Sequence, residues 1–289
     1  MKILLSTLIL AGSFLASFAQ TGSDIYILDL KEKKGKITLS NPRNITNRIG
    51  YDNQPSFHKT DKVLYFSSFD ENGRADIKSY HLKTKETKNI TKTLEREYSP
   101  TLTPDESYLS CIIQRDNGAQ DLGKYPVEGG EATVIIDDLI VGYHVWADNS
   151  HLALFVLGKD GSPNTLHYLE LPTRDDTVLA ENIGRSLHRI PSAAAISYVA
   201  KLSADKWEIR KLNLDKLNSE KIADTLPGKE DICWTAGGTL LSSDGEKIYM
   251  LQDGKWKPLS ITGLKLPLKG ITRMAVNAQN NTLAVVVSE

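Results

Sequence analysis

The sequence predicts an all-β protein: a six-bladed β-propeller of four-stranded antiparallel blades, closed by N- and C-terminal strands that share one blade. Three observations predict this fold. The chain repeats itself every 44 or 45 residues, each repeat holds four short runs with strand-like alternation, and each end of the chain carries part of a repeat. Four strands in a repeat of about 40 to 50 residues are typical of a propeller blade, and no run of helical period competes with them.

The repeat is marked by a large hydrophobic residue at the end of the first strand of each unit. The marker residues are Phe57, Leu102, Trp146, Ile190 and Trp234. In the first unit an apolar run at residues 63–66 follows the marker, and then come a polar turn and two further strand-like runs. Gly, Asp, Asn, Pro and Thr separate these runs, as expected for tight turns.

The two ends of the chain complete each other. After Gly263 only residues 274–276 and 282–287 have the pattern of strands, while residues 24–30 and 43–46 supply two more near the N-terminus. Five whole blades and one shared blade make six. Residues 24–30 should therefore pair with residues 282–287, and this closure removes sheet edges that would otherwise invite aggregation.

The first 19 residues are predicted to be a signal peptide and not part of the fold. Lys2 supplies a positive start, residues 3–18 are almost wholly apolar or small, and Ser17 and Ala19 stand where a signal peptidase requires small residues. The run is too short for a transmembrane anchor, and no later segment is long and apolar enough to span a bilayer. We expect the mature chain, residues 20–289, to be a soluble periplasmic monomer of a Gram-negative bacterium.

Composition and cysteine content narrow the function classes. Apolar residues make up 40% of the chain and charged residues 25%, which is an ordinary globular balance. Lys and Arg total 35 against 36 Asp and Glu, so no basic excess favours nucleic-acid binding.

Cys111 and Cys233 fall in the second and fifth whole blades, which lie opposite each other in a ring of six. A disulfide needs Cα atoms within about 7 Å, so both thiols should be free.

The order of motifs within each repeat resembles one known family. Pro-x-Phe/Leu-x-x-Asp, an apolar strand, Asp-x-x-Gly-x-x-Asp-Ile and then Ile-Thr are similar to the repeats of the TolB-like (WD-like) β-propellers of secreted bacterial proteins. The resemblance covers nearly the whole mature chain and is best over residues 49–137. The Ser-Pro-Asp-Gly turn of those repeats survives only as Thr103-Pro104-Asp105-Glu106, and we expect no counterpart of the extra N-terminal α/β domain of TolB. The resemblance implies the fold and does not imply the partner.

Motifs for chemistry are absent. The sequence has no Gly-x-Ser-x-Gly, His-Glu-x-x-His, phosphate loop or nucleotide-binding glycine pattern, so no catalytic residue, cofactor or metal site is assigned. The loop at residues 70–76 lacks the regular oxygen spacing of a calcium site and is interpreted as a turn. Asn44-Ile45-Thr46 and Asn89-Ile90-Thr91 match a glycosylation acceptor, but they occupy one repeat position and are interpreted as repeat consensus.

Two histidines are the most interesting functional residues. His144 and His188 both stand two residues before a marker residue, so neighbouring blades should present imidazoles at one height near the mouth of the channel. The carboxylate of Asp231 is expected to lie three blades from His144 and two from His188. The predicted binding residues at this channel mouth are Gln54, Arg96, Tyr98, Tyr143, His144, His188, Arg189, Asp231 and Arg273.

The other aromatic residues have structural interpretations. Trp146 and Trp234 should wedge between blades, while Trp207 and Trp256 should be partly exposed. The remaining histidines are expected in solvated turns or outer strands; they are His58, His81, His151 and His167.

These observations favour a non-enzymatic binding module that docks an envelope protein or a cell-wall-linked partner through loops at one channel mouth. One alternative is a carbohydrate-active or metal-dependent enzyme, similar to a polysaccharide lyase, that uses the channel-mouth histidines. Another is a sensor of a glycan or small ligand. Inward-facing carboxylates or three metal ligands would favour the enzyme, and a wide loop surface of mixed apolar and charged groups would favour partner binding. We further predict that replacing both histidines with alanine leaves folding intact and weakens capture.

Overall fold

A computed structural model describes residues 22–289, and the predicted signal peptide lies outside these residues. The described chain forms 25 strands in six sheets, with no helix. The first two strands are β1 (Ser23–Lys33) and β2 (Lys36–Asn44). The four strands of blade 1, from channel to rim, are β3 (Asp52–Phe57), β4 (Val63–Phe69), β5 (Ala75–His81) and β6 (Thr87–Asn89).

Four more blades follow in chain order. Those of blade 2 are β7 (Arg96–Leu102), β8 (Tyr108–Gln114), β9 (Gln120–Pro126) and β10 (Thr133–Ile136). Those of blade 3 are β11 (Val141–Trp146), β12 (His151–Val156), β13 (Thr165–Glu170) and β14 (Asp176–Glu181). Those of blade 4 are β15 (His188–Arg189), β16 (Ala195–Lys201), β17 (Trp207–Asn213) and β18 (Ser219–Asp224). Those of blade 5 are β19 (Ile232–Trp234), β20 (Leu240–Ser243), β21 (Ile248–Gln252) and β22 (Lys255–Pro258).

Blade 6 closes the ring from both ends of the chain. It contains β24 (Met274–Val276) and β25 (Thr282–Ser288) on the channel side and then β1 and β2. Asp24 pairs with Val287, and Asp29 pairs with Thr282, so the predicted closure is confirmed. A short strand that was not predicted, β23 (Ile261–Thr262), pairs in parallel with β2 and covers the outer edge of this blade.

The core is divided into six clusters, one at each interface between neighbouring blades. Alternation along each strand explains this division, because successive side chains point to opposite faces of a sheet. Trp146 is buried between blades 2 and 3, and Trp234 bonds to Ser197 of blade 4, so both act as the predicted wedges. Trp207 and Trp256 are partly exposed, as predicted.

The repeated Asp-Ile and Ile-Thr motifs form one hydrogen-bonded unit. The Thr91 hydroxyl accepts from the backbone N–H of Ile77 at 2.8 Å and donates to Asp76 at 3.2 Å. Thr46 makes the same two bonds one repeat earlier, to Ile25 and Asp24. The motif therefore fixes the fourth strand against the third and needs no ligand.

The turns and the cysteines agree with the sequence. Asp70 accepts bonds from the backbone N–H groups of Asn72 and Arg74, both at 2.8 Å, which is the expected turn chemistry. Cys111 lies on β8 and Cys233 on β19, in opposite blades, and both are buried free thiols as predicted.

The ring has two distinct faces. We call the face where the innermost strands begin the upper face; it also carries the connectors between blades and the turns between second and third strands. The turns between first and second strands lie on the lower face. Gly22 and Glu289 meet on the upper face, where the Glu289 N–H donates to the Gly22 carbonyl. Among the described residues, no helix has the length and apolar content needed to cross a membrane.

Candidate functional site

The innermost strands enclose a central cavity of about 550 Å³. This volume suits a small ligand or an inserted side chain, since ligand pockets are commonly about 300 to 1,000 Å³. Seven of the nine predicted mouth residues line the cavity, namely Gln54, Tyr143, His144, His188, Arg189, Asp231 and Arg273.

The other two predicted residues, Arg96 and Tyr98, lie outside the cavity lining. The Arg96 guanidinium donates to Asp116 at 3.0 Å and to the Gly73 carbonyl of blade 1 at 3.2 Å, so it lies among the upper-face turns. The Tyr98 ring packs against Phe69 of blade 1, with ring centres 5.8 Å apart. Both residues therefore stabilise the contact between blades 1 and 2 at the rim of the upper face.

Gln54 holds two blades together and does not project freely. Its side-chain oxygen accepts from the Ser67 hydroxyl at 2.9 Å and from the backbone N–H of Ser99 in blade 2 at 2.8 Å. Gln54 and Ser99 occupy the same repeat position, and both have a positive φ, 58° and 56°. Each lies in a β-bulge of its innermost strand, and a bulge breaks the alternation of side chains.

His144 is a buried interface residue. Its Nε2 lies 2.7 Å from the Ser110 hydroxyl of blade 2, and Trp146 donates to the same hydroxyl at 2.8 Å. Because Ser110 uses its own hydrogen on the Thr101 carbonyl at 3.0 Å, His144 Nε2 must be the protonated nitrogen. Burial lowers the pKa of His144 to about 3, so the ring is neutral. Replacing it with alanine should destabilise the protein, which changes the expectation that folding stays intact.

His188 faces the other way. Its Nε2 lies 3.0 Å from the hydroxyl of Ser186, which also accepts from the backbone N–H of Ile232 in blade 5. Burial lowers the pKa of His188 to about 4, against the opposing charge of Asp231. The two histidines thus share a repeat position, but His144 bonds to blade 2, whereas His188 bonds to Ser186 of its own segment, which in turn bonds to blade 5. The expectation that Asp231 lies far from His188 was wrong, because it belongs to the next blade.

Two of the histidines predicted to be solvated are buried. His58 is 7% exposed, and its Nδ1 lies within 3.1 Å of the Asp61 N–H in a lower-face turn. His167 is 8% exposed and lies between Thr165 and Asp176, with its Nδ1 2.8 Å from the Asp176 carboxylate. Local turn and cross-strand bonds therefore bury these rings.

An ion-pair network that the sequence analysis missed occupies one side of the upper mouth. Arg185 donates to the Asp231 carboxylate at 2.8 Å and lies 3.6 Å from Glu230, while Lys201 pairs with Glu230 at 2.9 Å. Burial lowers the pKa of Arg185, but Asp231 and Glu230 outweigh it and raise that pKa above its ordinary range. Opposite charges one repeat apart are the sequence signal that predicts this pair.

Arg273 crosses the channel. It belongs to blade 6 and donates to the Tyr143 hydroxyl of blade 3, the opposite blade, at 2.8 Å. Its guanidinium lies 5.0 Å from the centre of the Tyr143 ring, and a longer bond of 3.5 Å reaches Asn53. Arg189 lies toward the lower face, where it donates to the Ala147 carbonyl. The mouth is thus bridged by polar side chains in fixed positions.

The contacts at the channel mouth set the charge states of its titratable residues. Both histidines are neutral, and the carboxylate of Asp231 is committed to Arg185. Within residues 22–289, no three His, Cys, Asp or Glu side chains are grouped so as to hold a metal ion.

The upper face also carries most of the exposed large hydrophobic side chains. Five of the seven such residues in the described chain lie there, with the exposed fractions Ile49 95%, Leu94 84%, Leu157 37%, Leu202 55% and Leu266 77%. Ile49 and Leu94 are one repeat apart on connectors between blades, and Leu157 and Leu202 are one repeat apart on turns between second and third strands. Only Val134 and Val178, on outermost strands, lie elsewhere.

Comparison with known proteins identifies the fold. No family model matches the sequence, and no curated protein matches it. A structure described as TolB from Agrobacterium tumefaciens matches with a TM-score of 0.72 and 13% identity, covering 94% of this chain and 99% of that one. The chain has the fold of a TolB-like propeller.

Two further structures bear on the choice between a binding function and an enzymatic function. TolB from Acinetobacter baumannii matches with a TM-score of 0.57 and 11% identity, covering 91% of this chain and 64% of that one. An oligogalacturonate lyase in complex with manganese matches with a TM-score of 0.59 and 13% identity, covering 88% and 82%. At these identities the likeness shows the fold alone, so binding and enzymatic functions are both compatible with it.

Proposed function

We propose that this chain is an exported, non-enzymatic binding module that docks a protein of the cell envelope on its upper face. The observation that carries the proposal is the concentration of exposed large hydrophobic residues on that face. Scattered single hydrophobic residues are ordinary on a protein surface, but the concentration of five of the seven on one face suits an interaction site. The polar channel mouth lies in the middle of the same face.

The composition of this surface suits a protein partner. Ile49 and Leu94 are almost fully exposed, and they project from connectors that a rigid ring holds in place. Interfaces bury apolar anchors at their centres and surround them with polar groups. The ion pairs between Arg185 and Asp231 and between Arg96 and Asp116 supply such polar surroundings. Because the scaffold is already ordered, little conformational entropy is lost on docking.

The proposed location follows from the N-terminus. Residues 1–19 have the three parts of a signal peptide. The described chain begins at Gly22 on the upper face, where the Ser23 N–H donates to the Gly50 carbonyl. The TolB-like fold supports the same assignment by analogy. We therefore infer a periplasmic protein that meets its partner in the envelope.

Co-purification with matched variants tests this proposal. The tagged protein would be recovered from envelope extract in three forms: unchanged, with Ile49→Ser and Leu94→Ser, and with Val134→Ser and Val178→Ser. The second pair is the control, since it also removes two exposed hydrophobic residues one repeat apart, but from the blade edges. A protein retained by the unchanged and control forms and lost by the upper-face variant supports the proposal. Capture that ignores the upper-face substitutions contradicts it.

A lyase-like enzyme is the second candidate, and the structural likeness to a manganese-bound oligogalacturonate lyase favours it. His144 and His188 would be its histidines, because both line the cavity. Incubating purified protein with oligogalacturonate and manganese, and following the absorbance of unsaturated products, tests this candidate. Metal-dependent turnover that disappears in His188→Ala would replace the binding proposal, and absence of turnover supports it.

A further inference from the structure

The arginines of the described chain divide into two groups by their partners. There are ten, and eight have a carboxylate within 4.0 Å. The remaining two, Arg189 and Arg273, pair with no carboxylate of residues 22–289, and both line the central cavity. In a protein of net charge −1, unpaired guanidinium groups inside a cavity create a local preference for an anion.

The bonding geometry of the Arg273 guanidinium suits the binding of an anion. Two of its bonds go to neutral oxygens, those of Tyr143 and Asn53, which orient the guanidinium without neutralising it. A guanidinium has five N–H donors, so three remain for a ligand. The Tyr143 hydroxyl accepts from Arg273, and its own hydrogen has no acceptor among the described residues. Arg273 and Tyr143 can therefore donate to the same anion.

The charge at the mouth selects the class of anion. Arg185 and Lys201 are balanced by Asp231 and Glu230. Since Arg189 lies toward the lower face, Arg273 is the uncompensated guanidinium that the described residues present at the upper mouth. A carboxylate carries one negative charge and two oxygens in the spacing that a guanidinium fork matches. A phosphate monoester carries nearly two charges at neutral pH and exceeds what this mouth neutralises.

We propose that Arg273 and Tyr143 form a binding site for a carboxylate group in the channel mouth. This inference rests on the proposed function, and it specifies the chemistry of the docked partner: an acidic side chain enters the channel while apolar residues meet the upper face. A free organic acid offers the same carboxylate, and the test separates the two sources.

Isothermal titration of purified protein with defined probes tests the site. The protein-borne source is represented by the blocked peptide acetyl-Gly-Glu-Gly-amide and the free acid by glutarate; each is compared with its uncharged counterpart, the glutamine peptide and glutaramide. We expect the carboxylate probes to bind and the amides to bind at least about tenfold more weakly, since charge-assisted hydrogen bonds are the strong ones. The source that binds more tightly identifies the natural ligand.

Three variants assign the binding to this site. Arg273→Gln should weaken carboxylate binding by about tenfold or more, and Tyr143→Phe should weaken it by a smaller factor because the ring and its packing remain. Lys269→Gln is the control, because it removes one exposed positive charge from the connector that leads to β24. Equal binding by Arg273→Gln and unchanged protein, equal binding of acid and amide probes, or an equal loss in Lys269→Gln would overturn the proposal.

This experiment can fail independently of the docking experiment. It uses purified protein and small probes, whereas the docking experiment changes Ile49 and Leu94 and measures a captured protein. A partner lost by the upper-face variant together with no carboxylate binding would reject the carboxylate site alone. Carboxylate binding with a partner that ignores the upper face would reject the docking surface alone. Unfolding midpoints of each variant, measured in parallel, show that the fold is retained.

Discussion

Replacing Ser110 with alanine should destabilise the ring at the interface of blades 2 and 3. The Ser110 side chain is fully buried, and its oxygen accepts bonds from two buried donors, Nε1 of Trp146 at 2.8 Å and Nε2 of His144 at 2.7 Å. Alanine removes this acceptor and leaves both donors without a partner. The neutral His144 ring keeps one N–H in either tautomer, and moving the proton to Nδ1 does not restore the bond, because Nδ1 has no hydrogen-bond partner among the described residues.

The expected loss in the free energy of unfolding follows from the number of buried donors left without a partner. Each buried donor that loses its partner costs about 1 to 3 kcal/mol, so Ser110→Ala should cost about 2 to 6 kcal/mol. Ser197 provides a matched comparison at the interface of blades 4 and 5. It accepts from one indole, that of the half-buried Trp234, at 2.9 Å. Ser197→Ala should therefore cost about 1 kcal/mol.

Urea denaturation followed by tryptophan fluorescence measures both losses. We expect the free energy of unfolding to fall at least twice as far for Ser110→Ala as for Ser197→Ala, with unchanged dependence on denaturant. Equal losses in the two variants, or a loss under about 1 kcal/mol for Ser110→Ala, would refute the assignment of two donors to one serine.

Three further predictions concern buried acids, thiols and ring closure. Burial is the largest cause that raises the pKa of Glu97, so the folded protein favours the protonated carboxyl. The stability that this protonated form contributes is lost as the pH rises through the raised pKa. Glu97→Gln should therefore gain stability relative to the unchanged protein as the pH rises above the ordinary pKa of a glutamate, and a constant difference in denaturation midpoint would contradict this. Cys111 and Cys233 are buried, and burial raises the pKa of Cys233 to about 12. Mass spectrometry after alkylation should therefore find two labels in unfolded protein and none in folded protein. Labelling of the folded protein would argue against this burial. Deleting residues 24–30 removes most of the strand paired with β25, so soluble expression should be lost, and a soluble, folded product would show that closure is dispensable.

The architecture could be predicted because each repeat of the sequence folds into one blade. The spacing of Phe57, Leu102 and Trp146 indicates one blade per repeat. The Asp-Ile and Ile-Thr motifs indicate the hydrogen bonds that fix the fourth strand of a blade against the third. The split blade followed from counting strands at the two ends. β23 was missed because two residues in a connector carry no strand period.

The site was predicted only in part, for a physical reason. Alternation along a strand predicts which face a side chain takes, and bulges at Gln54 and Ser99 break that alternation. His144 and His188 share a repeat position, yet His144 bonds to a hydroxyl of the preceding blade and His188 to Ser186, two residues earlier in its own segment. The bridge between Arg273 and Tyr143 joins opposite blades, and no local pattern in the sequence reports a contact across the ring.

The docking surface is tested most directly by photo-crosslinking in living cells of the source organism. A photoreactive amino acid would be placed singly at positions 49, 94, 134 and 178, and the adducts would be resolved by mass. We expect a discrete protein adduct from positions 49 and 94, where exposed hydrophobic residues of the upper face lie, and none from positions 134 and 178. Adducts from the blade edges, or none from the upper face, would contradict it.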